Sequence, residues 1–329
     1  MLLGGVVWGL SPLFYKLLDH IPAMEVVSHR ILFSFLTFAI LLAYQKRLGV
    51  MWQQMTRTRG EFARTLLAAS MISVNWFVWV LAVQLGLTTE ASLGYFVFPL
   101  FAVVLGIVIF HEKLSSVQWL AVAIAGVAVL VLTIGQGTAP WIALILATSF
   151  SVYGAIKKQS PTGPVVSVSA EALLVSPLAL LWLMGTHLLG WTGFTGLKGG
   201  YFGADLGDTL LLASSGIMTA GPLILLSYAI RRLRYAEIGL LQYTNPTLQF
   251  LVAVLIFMEP FGPVQLISFS MIWLALALYS ADLLRQDRRM RSLATASSGD
   301  STRLNKFQMS ASAKPSVMSL SIRRNNGSQ

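Results

Sequence analysis

Long apolar segments alternate with short polar ones along almost the whole chain. A helix needs about 20 apolar residues to cross the hydrocarbon core of a membrane. Ten segments approach or reach that length, and they cover residues 1–18, 23–44, 64–84, 89–111, 116–134, 140–156, 165–189, 208–230, 236–258 and 262–284. The pattern therefore predicts an all-α membrane protein with ten transmembrane helices, called predicted helices 1 to 10 below.

Basic residues are concentrated in alternate loops. The loops after predicted helices 2, 4, 6 and 8 hold Lys46, Arg47, Arg57, Arg59, Arg64, Lys113, Lys157, Lys158, Arg231, Arg232 and Arg234. The loops after the odd-numbered helices hold only Lys16 and Lys198. Loops rich in Lys and Arg stay in the cytoplasm. The alternation therefore predicts that both termini are cytoplasmic, and it supports the count of ten because a missed helix would disturb it.

Two parts of the chain match each other without a gap at an offset of 147 residues. Pro99 falls on Pro246, and three polar pairs coincide, namely Glu90 with Glu237, Glu112 with Glu259, and Gln118 with Gln265. Each half would hold five helices, an odd number, so the halves must cross the membrane in opposite directions. Inverted repeats of this kind are typical of transporters.

The repeat also divides the chain. We expect a first five-helix repeat at residues 1–134, a second at 135–284, and a disordered basic cytoplasmic tail at 285–329. The tail is rich in Ser, Arg and Asn and holds few large apolar residues.

Composition agrees with a protein that resides in lipid. Hydrophobic residues make up 56% of the chain and charged residues only 11%, against about a quarter in soluble domains. The net charge of +10 does not indicate a nucleic-acid partner, because the positive charges lie between apolar segments and in the tail. The chain has no cysteine, which excludes disulfides and cysteine metal sites.

Few ionisable residues lie inside the predicted helices, and a charge in hydrocarbon is costly enough to suggest a function. Arg30 lies about eight residues into predicted helix 2, or ~12 Å at 1.5 Å per residue, near the midplane. Glu171 falls at the matching place in predicted helix 7 at an offset of 141. Either the two face a central cavity and bind a charged substrate or a proton, or they form a structural ion pair.

Two neighbours of Arg30 are further candidates for proton coupling, together with Glu171. Glu25 and His29 are four residues apart and can meet on one helical face. The alternative for His29 is a satisfied core or interface histidine.

Uncharged polar residues near two prolines form a second set of candidates. Pro99 and Pro246 predict helix kinks, because proline cannot donate to the carbonyl four residues earlier. Those carbonyls belong to Tyr95 and Gln242 and could line a cavity. The candidates for substrate binding in this set are Asn75, Tyr95, Gln242, Tyr243 and Asn245. Alternatively, these side chains only form hydrogen bonds between helices.

No pattern indicates an enzyme. The histidines form no HExxH motif, and neither a P-loop nor a pair of catalytic carboxylates is present. We therefore expect no catalytic residue, no bound metal and no cofactor. Gradient-driven or facilitated transport remains.

Several motifs carry a family resemblance. They are Ser28-His29-Arg30, Asn75-Trp76, the stretch Glu90–Phe96 that runs to Pro99, and Gln242-Tyr243 with Pro246-Thr247 and Glu259. Over about residues 6–284 the chain resembles the RarD branch of the EamA group, in the drug/metabolite transporter superfamily. The resemblance implies ten helices in two inverted repeats, with both termini on the cytoplasmic side of a bacterial inner membrane.

The expected function is secondary transport of small organic metabolites or drugs by alternating access, with export favoured. The substrate would bind near the midplane, between predicted helices 1–4 and 6–9. A non-transporting membrane sensor or assembly factor is the alternative, and it predicts no cavity among the helices.

Overall fold

The computed structural model describes residues 2–111, 114–159, 163–230 and 243–312 of the chain. Within these ranges the regular structure is helical, and only isolated bridges occur in the loop before residue 206. The helices are α1 (Leu2–Gly9), α2 (Ser11–Lys16), α3 (Ala23–Tyr44), α4 (Leu48–Thr56), α5 (Arg59–Gln84), α6 (Thr88–Phe110), α7 (Ser116–Gln136), α8 (Trp141–Lys158), α9 (Pro164–Leu189), α10 (Leu206–Ile230), α11 (Thr244–Leu251) with a π-helical turn at Val252–Ile256, and α12 (Pro263–Ser312).

Seven helices of the described part are long and apolar enough to cross a membrane, namely α3, α5, α6, α7, α9, α10 and α12. Predicted helix 6 corresponds to α8, and α11 with its π-helical turn is the described part of predicted helix 9. Predicted helix 1 is not one helix, since α1 ends at Gly9 and α2 begins at Ser11. Pro12 is the second residue of α2, a place where proline starts a helix rather than continues one.

The chain divides into two compact units, Met1–Ser280 and Ala281–Gln329. In the second unit α12 extends to Ser312, whereas the sequence predicts a disordered tail from residue 285. Residues 285–312 contain many Arg, Leu, Ala and Met residues, which have high helix propensity. Residues 313–329 lie outside the described part, and disorder there stays a prediction.

Two carboxylates fix the starts of neighbouring helices. Glu259 accepts hydrogen bonds from the amides of Thr88 and Thr89, at 2.7 and 2.6 Å, at the first turn of α6. Glu90 accepts one from the amide of Ile142, at 2.9 Å, at the first turn of α8. The first amides of a helix have no partner within the helix and attract negative charge. Both glutamates therefore have a structural role.

The helices that surround the candidate site pack closely on one another. Helix α3 contacts α9 and α10, α5 contacts α8 and α9, and α6 packs on α8. A buried cluster that includes Tyr15 and Trp79 fills the space between them. A second cluster joins Phe96 of α6 to Phe250 of α11 and Phe269 of α12. This packing places polar residues of α3, α5, α6 and α9 inside an apolar bundle.

Candidate functional site

Arg30 is a buried cation in α3 and only 6% exposed. Its Nε donates a hydrogen bond to Thr219 Oγ1 of α10 at 2.7 Å. The guanidinium carbon lies 4.5 Å from the centre of the Trp76 ring and 5.5 Å from that of Tyr15. Among the described residues, Nη1 has no acceptor and no carboxylate is within ion-pair distance. A buried guanidinium with an unused donor can bind an anion.

Asn75 and Tyr95, two of the predicted residues, are brought together by the fold. The Tyr95 hydroxyl donates to Asn75 Oδ1 at 2.8 Å. Asn75 Nδ2 donates to the Leu146 carbonyl and to Ser149 Oγ, both at 3.1 Å. Asn75 is 1% exposed, so its amide joins α5, α6 and α8 inside the bundle. This is the interhelical hydrogen bonding that the sequence left open as an alternative.

An aromatic surface connects these two groups. Trp76 and Trp79 are three residues apart on α5 and therefore share a face. Trp76 contacts the Arg30 guanidinium, and the Trp79 ring lies 5.4 Å from that of Tyr95. Arg30 and the hydrogen-bonded pair of Asn75 and Tyr95 thus lie in one region that is lined by Trp76 and Trp79. We call this region the central site.

Glu171 lies in a separate buried network. The Lys157 ammonium forms a short contact with Glu171 Oε1 and another with Ser167 Oγ, and the Tyr153 hydroxyl donates to Glu171 Oε2 at 3.1 Å. A pair between Arg30 and Glu171 is therefore not formed. The long stem of Lys157 brings its ammonium from the end of α8 to α9, whereas Arg30 is directed towards α5 and α10.

A cavity of about 430 Å³ adjoins the Glu171 network, which is within the range of about 300–1,000 Å³ found for ligand pockets. Residues of α4, the start of α5 and the end of α8 line it. The charged side chains among them are Arg57, Glu61, Arg64, Lys157 and Glu171. Glu171 therefore connects the buried interior with a space that a small molecule can enter. We call this space the α4 cavity.

Glu25 and His29 do not meet through their side chains. The Glu25 carboxylate accepts hydrogen bonds from the amides of Gly200 and Tyr201, at 2.8 and 2.9 Å, and so fixes the loop before α10. His29 Nδ1 lies 3.0 Å from the backbone carbonyl of Glu25, and its ring stacks on Phe202 at 4.8 Å. These contacts favour a structural role for both residues.

Only part of the predicted cluster near Pro246 is described. Asn245 Oδ1 accepts a hydrogen bond from Gln249 Nε2 at 2.9 Å, and Tyr243 packs against the second buried cluster. Pro246 is the third residue of α11, where a missing amide costs no intrahelical bond. The kink expected in predicted helix 9 involves residues before 243, which lie outside the described residues, so it stays a prediction. Pro99 lies inside α6, as predicted. Gln242, Glu112 and Glu237 lie outside the described residues.

Several contributors to these networks were not predicted as site residues. Tyr15 and Thr219 contact Arg30, and Tyr153 and Lys157 contact Glu171. A signal for Lys157 was available, because it falls on Lys16 at the same offset of 141 that aligns Glu171 with Arg30. The residues that the structure describes contain no cluster of three or more metal-binding side chains.

Known proteins match this chain over most of its length. The EamA-like transporter family matches residues 1–134. Protein RarD of Streptomyces exfoliatus is 40% identical over 286 residues, which cover 87% of this chain and 88% of that protein. The uncharacterized transporter YojE of Bacillus subtilis (strain 168) is 36% identical over 289 residues, covering 87% and 94%. Protein RarD of Escherichia coli (strain K12) is 32% identical over 284 residues, covering 86% and 93%.

A crystal structure of another protein has a similar fold. It superposes with a TM-score of 0.52 at 16% identity and covers 84% of this chain and 96% of that one. This likeness concerns the fold alone. The matches to RarD proteins confirm the family that the motifs indicate, and that family consists of transporters rather than enzymes. The chain is thus a multi-pass bacterial membrane protein that belongs to the RarD branch of the EamA-like transporter family, within the drug/metabolite transporter superfamily.

Proposed function

We propose that this transporter moves a small organic solute with an anionic group, and that Arg30 binds that group in the central site. The observation that carries the proposal is the unused Nη1 donor of a buried guanidinium with no carboxylate partner among the described residues. A buried charge without a partner is costly. An anionic solute would remove that cost, while Trp76 and Tyr15 hold the guanidinium in place.

Other polar residues would complete the substrate site. Asn75 and Tyr95 form the wall next to Trp76 and can exchange their mutual hydrogen bond for a bond to the solute. Tyr243 and Asn245, together with Gln242, would contribute from predicted helix 9. This set combines one charge with several neutral groups, which suits a small polar metabolite better than an apolar compound.

The transporter would consist of two inverted repeats of five helices, at residues 1–134 and 135–284. Backbone features 147 residues apart support this arrangement. His111 and Met258 both have left-handed conformations, with φ of 54° and 52°. Gln118 Oε1 and Gln265 Oε1 each accept a hydrogen bond at 3.1 Å from the amide three residues earlier. Matching conformations at matching positions are expected of a duplicated unit.

Transport would proceed by alternating access in the bacterial inner membrane, with both termini in the cytoplasm. The α4 cavity includes residues of two basic loops that the charge pattern predicts to be cytoplasmic. A solute could therefore enter from that side, which supports export. For the coupling proton, we propose Glu171 rather than Glu25 or His29, because Glu171 lines the cavity whereas the other two hold a loop and an aromatic stack.

The proposal can be tested in two stages. Metabolites are first compared between deletion and overexpression cells, where we expect one or more small organic anions to change in opposite directions. The labelled metabolites are then measured in proteoliposomes that hold the wild-type protein or the Arg30→Gln variant. We expect uptake by the wild type and a loss of about 10- to 100-fold in the variant, since a hydrogen bond to a charged group contributes about 1.5–3 kcal/mol.

Two outcomes would contradict the proposal. One is an Arg30→Gln protein that folds and transports at the wild-type rate. The other is the absence of any metabolite change or vesicle uptake, which would favour a membrane sensor or assembly factor. Collapse of the pH gradient separately tests coupling, because uptake that does not change on collapse is not proton-driven.

A further inference from the structure

The α4 cavity contains charged groups that the central site does not use. Buried Glu171 and Lys157 neutralise each other at its inner side. Arg57, Glu61 and Arg64 also line it, and none of these three forms an ion pair with another described residue. The cavity therefore contains two cations and one anion without a partner of opposite charge.

Glu61 is the most informative of the three. Its Oε2 atom is buried and has no hydrogen-bond donor among the described residues. A carboxylate oxygen in that state loses its hydration without compensation. Glu61 and Arg64 are three residues apart on α5, so their Cβ atoms lie about 5–6 Å apart on one face. One small ligand could contact both.

We infer that the α4 cavity binds a small zwitterionic group, with its amine on Glu61 and its phosphate or carboxylate on Arg57 and Arg64. An anion alone would meet the Glu61 carboxylate and leave Oε2 without a donor. A cation alone would make no contact with the two guanidinium groups, which are exposed and otherwise meet only water. A group with both charges satisfies all three side chains, and a cavity of about 430 Å³ can hold it.

Such a group can come from a soluble solute or from a phospholipid headgroup. The candidate membrane span of α5 begins at Arg59, between Arg57 and Glu61. Basic residues at the end of a span favour the membrane surface, so we expect the three charges to lie near it. The chemistry that is recognised is the same for both sources. The inference does not rest on the proposed transport of a solute, because binding can be measured without transport.

The soluble source is tested with the full-length protein, purified in detergent and freed of lipid. Binding of phosphoethanolamine is measured by titration calorimetry and compared with inorganic phosphate, which carries only the anion, and ethanolamine, which carries only the cation. We expect phosphoethanolamine to bind most tightly. We expect Glu61→Gln and Arg64→Gln each to weaken it at least about tenfold, because each removes a charged partner. Arg59→Gln is the matched control, since Arg59 is an exposed residue of α5 that does not line the cavity.

The lipid source is tested by native mass spectrometry after incubation with phosphatidylethanolamine or phosphatidylglycerol. A phospholipid headgroup is the ligand if the wild type and Arg59→Gln retain phosphatidylethanolamine whereas Glu61→Gln and Arg64→Gln lose it. That result would support the inference. A soluble solute is the ligand if phosphoethanolamine binds but phosphatidylethanolamine does not, and if Glu61→Gln and Arg64→Gln again weaken binding whereas Arg59→Gln does not. That result would also support the inference.

Three results would overturn the inference. The first is phosphate binding as tight as that of phosphoethanolamine and strengthened by Glu61→Gln, which would make the cavity an anion site. The second is equal weakening by Arg59→Gln and the cavity variants. The third is no binding of either zwitterionic probe to a wild-type protein whose thermal unfolding shows that it is folded.

Discussion

Arg30 and Glu171 align with each other in a weak sequence match at an offset of 141 residues, yet their surroundings differ. Both are buried, at 6% and 3% exposure. Glu171 has a cation and a hydroxyl as partners, from Lys157 and Tyr153. Arg30 has a hydroxyl partner and two aromatic faces but no described carboxylate. One buried charge is neutralised by a described side chain, and the other has no counter-charge among the described residues.

If the two halves are repeats, as we propose, the difference is one way in which paired helices can hold an asymmetric site. The loss of one member of a neutralised buried pair is costly to stability, whatever else the pair does. A cation without a counter-charge lowers stability, and a binding function would explain why it is present. The comparison therefore predicts that stability depends on Glu171 and its partner, whereas ligand binding depends on Arg30.

The largest expected effect is on stability, from Lys157→Met. The substitution leaves the Glu171 carboxylate buried without its cation, and breaking a buried ion pair in this way costs about 3–5 kcal/mol. Unfolding of the purified protein in mixed micelles, followed by circular dichroism, measures the loss. We expect a loss of about 3 kcal/mol, at the lower end of that range, because the Lys157 side chain is 20% exposed and water can partly replace it.

The double variant Lys157→Met with Glu171→Leu serves as its control. Both charges are then absent, and most of the lost stability should return. A double variant as unstable as the single one would show that packing around α8 and α9, rather than the ion pair, determines the effect.

The next effect is on transport, from Arg30→Gln. Stability should change by less than about 1 kcal/mol, because the lost aromatic and hydrogen-bond contacts are offset by removal of a desolvated charge. Transport of an anionic substrate should still fall by about 10- to 100-fold. Thr219→Val is the matched control, since it removes the neutral partner of Arg30 and keeps the charge. If Arg30→Gln loses as much stability as Lys157→Met, Arg30 would also have a structural role, and the proposed difference between it and the Lys157–Glu171 pair would be wrong.

The sequence predicted which residues are buried and polar better than it predicted their partners. Asn75 and Tyr95 were identified because a polar side chain inside an apolar helix needs a partner, and they proved to bind each other. Of the two alternatives for Arg30 and Glu171, the mutual ion pair is not formed, because an alignment of two segments does not determine where a side chain points. Lys157 was counted only as a basic loop residue, although its long stem allows it to enter the bundle.

The sequence likewise predicted the helices of the fold better than it predicted their interruptions and ends. Seven of the apolar segments form helices that can span a membrane, because such segments must satisfy their backbone internally. The break before α2 was not predicted, although Pro12 was its visible signal. The helical start of the tail differs from the predicted disorder, because a polar composition does not by itself exclude a helix.

A smaller effect is expected from Tyr95→Phe, which tests the central site without altering its charge. The variant loses one hydrogen bond to Asn75 Oδ1, worth about 0.5–1.5 kcal/mol. Transport should fall by about fivefold. Tyr44→Phe is the control, because Tyr44 is 88% exposed and lies outside the site. Equal transport by the two variants would place Tyr95 in the scaffold rather than in the substrate site.

The smallest effect is expected from His29→Phe. The new ring keeps the stack on Phe202 and loses one hydrogen bond to the Glu25 carbonyl, so stability should change by about 1 kcal/mol or less. If Glu171 binds the coupling proton, transport by His29→Phe should keep the wild-type dependence on external and internal pH, whereas Glu171→Gln should lose it. Rates measured in proteoliposomes across a series of imposed gradients distinguish the two. The reverse pattern, a flat pH profile for His29→Phe and a normal one for Glu171→Gln, would move the coupling site to α3 and place both transport roles beside Arg30.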